Sequence, residues 1–248
     1  MKPARSMLVL AVLFTALSAC DVLPGFPGNE PERTFPKPDR PVSDLGSNQF
    51  STEDARDERG EAESVMRLAE VKPGMRVADI GAGEGYYTVR LAEQVGADGR
   101  VLAQDIDRQV LGRLGDRVVR ERLDNVSIKL GQADDPMLPE NSFDRIFMVH
   151  MYHEIQEPYA FLWNMWPALK PGGQVIVVDR DQPTDRHGIP PLLLSCEFEA
   201  SGYRLVAFKD APELQGYYAQ FERGSKRPEP GQIEACKGNV PQPGGTAG

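Results

Sequence analysis

The sequence predicts an α/β fold: a doubly wound, mostly parallel seven-stranded sheet with helices on both faces and an antiparallel last strand. Two patterns carry the prediction. Across residues 51–223, apolar runs of strand length alternate with stretches whose apolar residues recur every three to four positions, the order expected of a sheet built from strand-helix-strand units. Within this, the run Val77 to Thr88 ends in Gly81, Gly83 and Gly85, the mark of a strand that turns tightly into a helix.

Taken in order, a helix over about 51–70 opens at a Ser/Thr cap and stops before Pro73-Gly74, leading into strand one at 76–80. Val89, Leu91, Ala92 and Val95 give the next helix its buried stripe. Strand two covers about 100–104, a helix 108–122, strand three 125–130 and strand four 143–149. A helix over 158–169 reaches Lys170-Pro171-Gly172-Gly173, and strand five follows at 174–178. The last third departs from plain alternation. A helix near 191–201 precedes two strand-like runs, 203–209 and 216–221, with no room for a helix between them, so they form a hairpin and the last strand is antiparallel.

At 248 residues, 40% hydrophobic and 26% charged, the chain is long enough to bury a substantial core. Its net charge of −9 and lack of a basic run exclude general nucleic-acid binding. The ends read differently from the middle. Lys2 and Arg5 precede an apolar run from Met7 to Ala19, too short at about 1.5 Å per residue to cross a hydrocarbon core of about 30 Å. The run closes in Leu17-Ser18-Ala19-Cys20, which resembles a bacterial lipobox. That resemblance implies a signal peptide over 1–19 and a lipidated Cys20 as the first mature residue, with an uncleaved anchor as the alternative. Asp21 then implies retention at the inner membrane, on its periplasmic side. Residues 20–50, with prolines at 24, 27, 31, 36, 38 and 41, are expected to form an extended tether, and the Pro- and Gly-rich segment 224–248 a disordered tail. Cys196 and Cys236 either bridge in an oxidising compartment or remain a buried and a free thiol.

Charge and spacing select the ligand of the glycine loop. A dinucleotide fingerprint places its third glycine three residues after the second, but here that position is Tyr86 and the glycine comes early, at Gly85. Asp79 and Glu84 flank the loop and disfavour a pyrophosphate, so a ligand carrying positive charge fits better.

Residues 51–223 resemble the class I S-adenosylmethionine-dependent methyltransferases on four segments in the right order. These are Asp79 to Gly85, Asp105 after strand two, Gly131-Gln132-Ala133-Asp134-Asp135 through Ser142-Phe143-Asp144, and Leu169-Lys170-Pro171-Gly172-Gly173. The resemblance implies S-adenosylmethionine as cofactor and methyl transfer to an oxygen or nitrogen of a small-molecule acceptor. By it, Gly81, Ala82, Gly83 and Gly85 give the cofactor backbone access and Asp79 holds its ammonium. Asp105, twenty residues after Gly85 at a strand's carboxyl end, offers two oxygens to the ribose hydroxyls, with Asp107 as the alternative. Ile106 and Ala133 sandwich the adenine, and Gln132 or Asp134 receives its exocyclic amine.

His150-Met151-Tyr152-His153-Glu154 follows strand four at the topological switch point, where substrates bind. His153, just past the strand end, is either the candidate base for an acceptor that must lose a proton or a loop histidine bonded to its neighbours, and His150 lines the cofactor or satisfies a backbone carbonyl. No metal site is expected: the two histidines are three apart, His187 is the only other, and Glu154 adjoins His153 rather than sharing one face with it. Arg56 and Arg59 either close over the cofactor or form a solvated face; Trp163 and Trp166, three apart on a helix, belong to the core. Two other readings stay open at this level: an NAD(P)-dependent oxidoreductase and a non-catalytic, ligand-sensing domain on the same fold.

Overall fold

The computed structural model describes residues 34–45 and 52–238, so the signal segment, Cys20 and most of the expected tether lie outside the described residues. Seven strands form one sheet: β1 (Arg76–Ile80), β2 (Arg100–Asp105), β3 (Val126–Leu130), β4 (Phe143–Val149), β5 (Leu169–Asp179), β6 (Tyr203–Ala211) and β7 (Gly216–Arg223). Their order is β3-β2-β1-β4-β5-β7-β6. β1 lies parallel to both β2 and β4, so the order reverses at β1 and opens a crevice at the carboxyl ends of these strands. β7 slots between β5 and β6, antiparallel to both, as a hairpin with no crossover helix requires.

Helices cover both faces, because a parallel sheet must bury both. α5 (Pro158–Met165) and α6 (Pro191–Ala200) pack Leu162, Leu194 and Phe198 on Ile146, Val175 and Phe221. On the other face α2 (Glu61–Leu68) and α3 (Tyr86–Val95) pack Val65, Leu91 and Val95 on Val77, Phe147 and Ile176. α1 (Glu53–Glu58) and α4 (Arg108–Glu121) complete the set. Among the described residues no helix is long and apolar enough to cross a membrane.

Three elements differ from expectation. The first helix is two, α1 and α2, because Gly60 takes a left-handed conformation (φ 62°) between them. The helix expected over 158–169 stops at Met165 and gives way to a 3-10 turn, Trp166–Ala168, since Pro167 cannot sit in a helix interior. β5 begins at Leu169 and carries Pro171-Gly172-Gly173 through a register shift against β4.

The two proline-rich ends also need correcting where they are described. Residues 34–45 are not a free tether: Arg40 and Ser43 are buried and Phe35 meets the Trp163 ring edge-on at 5.6 Å. Nor is 224–238 disordered. Cys236 is disulfide-bonded to Cys196 on α6, Trp163 Nε1 donates to the Pro228 carbonyl (2.8 Å), and Ile233 packs against Tyr159 and Trp163. Asp39 and Lys237 pair as an isolated bridge, so the two segments reinforce one another. Composition misleads here because an ion pair, a disulfide and one large indole do the anchoring that apolar runs do elsewhere.

Candidate active site

The glycine loop leaves β1 at Ile80 and enters α3 at Tyr86. All three of its expected glycines have positive φ (66°, 56° and 94°). Gly85 is needed twice over, since a Cβ there would stand 2.5 Å from Leu114 Cδ1, whereas a Cβ at Gly83 would meet nothing within 4 Å, so this edge of the loop faces open space.

Asp105 closes the crevice from the β2 side. One carboxylate oxygen accepts the Gly83 N–H (3.0 Å) and the other the Asp107 N–H (2.9 Å), which fixes the side chain while leaving lone pairs on both oxygens. The Asp107 carboxylate is engaged elsewhere, capping α4 by accepting from the Gln109 and Val110 amides at 2.7 and 3.2 Å. Of the two candidates, Asp105 is the one joined to the loop. Ile106, Gln132, Ala133 and Asp134 follow the ends of β2 and β3 and are exposed; Gln132 Nε2 lies 3.7 Å from Met137 Sδ and the Asp134 carbonyl receives Asn164 Nδ2 at 3.0 Å.

Asp79 is buried in β1 with a partner the sequence did not suggest, the Thr88 hydroxyl of α3 at 2.6 Å. Burial pushes its pKa up to about 6 against the opposing Thr88 bond and the Arg56 charge. Glu84, expected to add negative charge at the loop, is neutralised by Arg113 Nε at 2.7 Å. Ala82 is buried under the loop, its N–H donated to the Gln104 carbonyl (2.9 Å).

α1 is clasped over the loop. Arg117 of α4 takes both oxygens of Glu53 (2.6 and 3.1 Å), and Tyr86 and Arg90 of α3 take Asp57. Below it Glu61, buried at the start of α2, receives Arg56 Nη2 (2.6 Å), the Tyr87 hydroxyl (3.1 Å) and, at 3.7 Å, His150 Nε2. Burial alone would raise the Glu61 pKa, but the Arg56 bond and charge outweigh it and hold the carboxyl below its ordinary range. His150 is pushed down to about 4 by burial, against the pull of Glu61, and is neutral at pH near 7. Arg56 thus faces Glu61 and stacks on Tyr86 (3.7 Å to the ring centre), with Arg59 3.7 Å from the same carboxylate. Neither is the fully solvated charge that a run of arginines suggests.

His153 lies on the 3-10 turn Tyr152–Glu154 beyond β4 and is completely buried, deeper than a loop position implies. Its Nδ1 sits 2.9 and 3.0 Å from the two oxygens of Asp179, the last residue of β5. With Nδ1–H donating to Asp179, the neutral ring's Nε2 carries the lone pair and finds no hydrogen-bond partner among the described residues. Asp179, Glu61 and Thr88 went unnoticed in the sequence, since a carboxylate at the end of a strand or a Thr in a helix gives no signal until the fold supplies its partner.

Residues 77–173 match the family model described as a methyltransferase domain. The structure resembles that of a SAM-dependent methyltransferase from Aquifex aeolicus over 67% of this chain and 90% of that one, with a TM-score of 0.59 and 26% identity. The fold is that of a class I methyltransferase. A demethylmenaquinone methyltransferase from Geobacillus sp. is 32% identical over 123 residues, which are 49% of this chain and 52% of that protein. The chain therefore spans about half the length of the curated relatives it matches. The same methyltransferase fold is shared by a [4+2]-cyclase, SpnF, at 16% identity and a TM-score of 0.57, so the fold by itself does not fix the chemistry. The matched stretch of the methyltransferase domain contains Asp79, the glycine loop, Asp105 and His153, whereas Glu61, Asp179 and His187 fall outside it.

Proposed function

We propose that this domain binds S-adenosylmethionine across the glycine loop and transfers its methyl group to an oxygen or nitrogen of a small-molecule acceptor. The observation that carries the reading is the Asp105 carboxylate, held at the end of β2 by the Gly83 amide with lone pairs left for a diol. Buried Asp79 gives a cationic ligand a counter-charge on the adjacent strand, which a dinucleotide site would not want. Ile106, Ala133 and either Gln132 or Asp134 supply the apolar faces and acceptor that an adenine needs, and His150 lines the floor.

When bound, S-adenosylmethionine would supply an electrophilic methyl group on a sulfonium, which an acceptor oxygen or nitrogen lone pair would take as the C–S bond's electrons stay with sulfur as a neutral thioether. The leaving group is already good, so alignment and exclusion of water are the main contributions. A hydroxyl acceptor must also lose its proton, and the His153 Nε2 lone pair, oriented through Nδ1 by Asp179, suits that role. The names of the relatives point to a quinone-type small molecule for those proteins, and a small molecule is what we infer here.

We further propose that Cys20 carries a lipid and tethers the domain at the periplasmic side of the inner membrane. The Cys196–Cys236 bridge supports this reading, because disulfides persist in oxidising compartments. Incubation of the purified chain with methyl-labelled S-adenosylmethionine and a small-molecule extract tests the activity. Label should pass to a small molecule, and failure to bind either S-adenosylmethionine or its demethylated product by calorimetry overturns the proposal.

A further inference from the structure

Two turns that the sequence keeps well apart meet beside the crevice. The 3-10 turn after β4 presents His153 and Glu154, and the residue that ends the turn Thr184–Arg186, beyond β5, is His187. One ring nitrogen or carboxylate oxygen from each of the three lies within 4.8 Å of the other two. We propose that His153, Glu154 and His187 form a binding site for a divalent cation of the zinc class. Such a site goes beyond methyl transfer, and its metal-binding test does not depend on that reaction.

The state of His153 is the first reason. Its Nδ1 is committed to Asp179, so Nε2 holds a lone pair in a fully buried position, with no hydrogen-bond donor among the described residues. Glu154 Oε1, 4.0 Å away, is itself an acceptor, beyond hydrogen-bond range and unable to donate when ionised. A buried acceptor facing another acceptor is unfavourable for a hydrogen-bond network and natural for a cation between them. Asp179 is the second reason. A carboxylate on the far nitrogen of a histidine fixes the tautomer and raises ligand basicity, the arrangement found behind metal-bound imidazoles.

The donor set is the third. Two imidazoles and one carboxylate, with no thiolate, are the ligands of three-residue zinc sites that keep a fourth position for water or substrate. The His153 and His187 rings meet edge to face at 79° with centres 5.7 Å apart, so they converge without stacking. Ligand atoms around a tetrahedral zinc at about 2.1 Å stand about 3.4 Å apart, so from separations of up to 4.8 Å the cluster must tighten by up to about 1.4 Å. Both backbones are pinned by one residue of the N-terminal segment. Ser43 donates its N–H to the His153 carbonyl (3.4 Å) and its hydroxyl to the Thr184 carbonyl, and it accepts the His187 N–H (3.2 Å). Spacing along the chain spoke against a metal because ligands on one helical face were required, whereas the fold draws them from two turns.

A cation on Nε2 would occupy the lone pair that otherwise takes a proton, so the two roles of His153 exclude one another. The experiment uses the full-length chain in a Cys20→Ser background, so that with Cys196 and Cys236 bridged no thiol competes. It is stripped with a chelator and titrated with zinc chloride by calorimetry, and separately loaded with cobalt(II). One saturable equivalent is expected, together with the visible absorption of four- or five-coordinate cobalt. Glu154→Gln and His187→Gln, both at partly exposed positions, should each weaken zinc at least tenfold while leaving affinity for S-adenosylhomocysteine within about twofold. No saturable equivalent in the parent chain, or a site indifferent to both substitutions in folded variants, overturns the proposal. Loss of S-adenosylhomocysteine binding with zinc binding intact would overturn the cofactor reading instead.

Discussion

Arg40 and Glu197 meet in a two-pronged ion pair wholly out of water, with Nε 2.8 Å from Oε1 and Nη2 3.2 Å from Oε2. The Tyr152 hydroxyl donates to the same carboxylate at 2.7 Å, one residue before His153. The pair therefore ties the N-terminal segment to α6 and to the turn that carries His153. Removing one partner leaves the other charge buried and unmatched, so Arg40→Ala should cost about 3–5 kcal/mol, or about 6–20 °C in thermal midpoint. Thermal unfolding checks this, and Arg40→Met with Glu197→Leu should cost less than either charge removed alone.

Asp105 and Asp107 should separate cleanly. Asp105→Ala removes charge-assisted bonds to the cofactor and should weaken S-adenosylmethionine binding by about 1.5–3 kcal/mol, about ten- to a hundredfold. Asp107→Ala removes the α4 cap and should cost about 1 kcal/mol of stability with affinity little changed. Calorimetry and thermal melts on the two variants give the comparison, and the reverse pattern would move the ribose to Asp107.

Cofactor affinity should depend on pH through Asp79. Its pKa near 6 lies above the ordinary carboxylate value, so it is protonated below about pH 6, where it cannot match a cation. Affinity should be flat above pH 6 and fall by up to tenfold per unit below it, with proton release on binding in that range. Thr88, Arg56 and Asp105 face the group, and Asp79→Asn should flatten the profile. Stability is a poorer readout. A raised folded pKa at Asp79 favours the fold at low pH and is lost as pH rises from about 4 to 6, whereas the depressed His150, near 4, weakens the fold as pH falls from 6.5 through 4. The two slopes oppose one another in the same window.

Cys196 and Cys236 close a 40-residue separation. On chain-entropy grounds the bridge is worth about 4 kcal/mol, so Cys236→Ser or reduction should lower the unfolding midpoint. It should also speed protease cleavage after residue 224, with the sheet itself retained by circular dichroism.

Lipidation at Cys20 is checked by metabolic labelling with a fatty acid. The parent chain should be marked and Cys20→Ser should not; equal labelling, or none in either, removes the anchor from the account.

The sheet was legible because its central strands β1, β4 and β5 are mostly buried and its glycine loop has a fixed place in the chain. Asp105 was legible for the same reason, standing at a strand end a set distance from Gly85. What escaped were pairings between distant residues. Thr88 on Asp79, Glu61 beneath His150 and Asp179 behind His153 each join positions whose separation carries no period, so no local pattern announces them. The proline-rich ends were misjudged because proline and glycine report backbone conformation, while the Arg40–Glu197 pair and the disulfide decide whether such a backbone is held.

Ser43 touches the surroundings of His153 and His187, Arg40 reaches α6, and α6 is bonded to Cys236, so the walls of this corner come from both extremes of the chain. During synthesis Arg40, Ser43, the glycine loop and the strands through β7 all emerge before Cys236. The tie from α6 to the segment after β7 must wait for Cys236, and for an oxidant to close the bridge. A nascent chain on the reducing side of a membrane would thus have its glycine loop formed and this corner unsealed. The bridge between α6 and Cys236 therefore closes only after the sheet's last strand has been made.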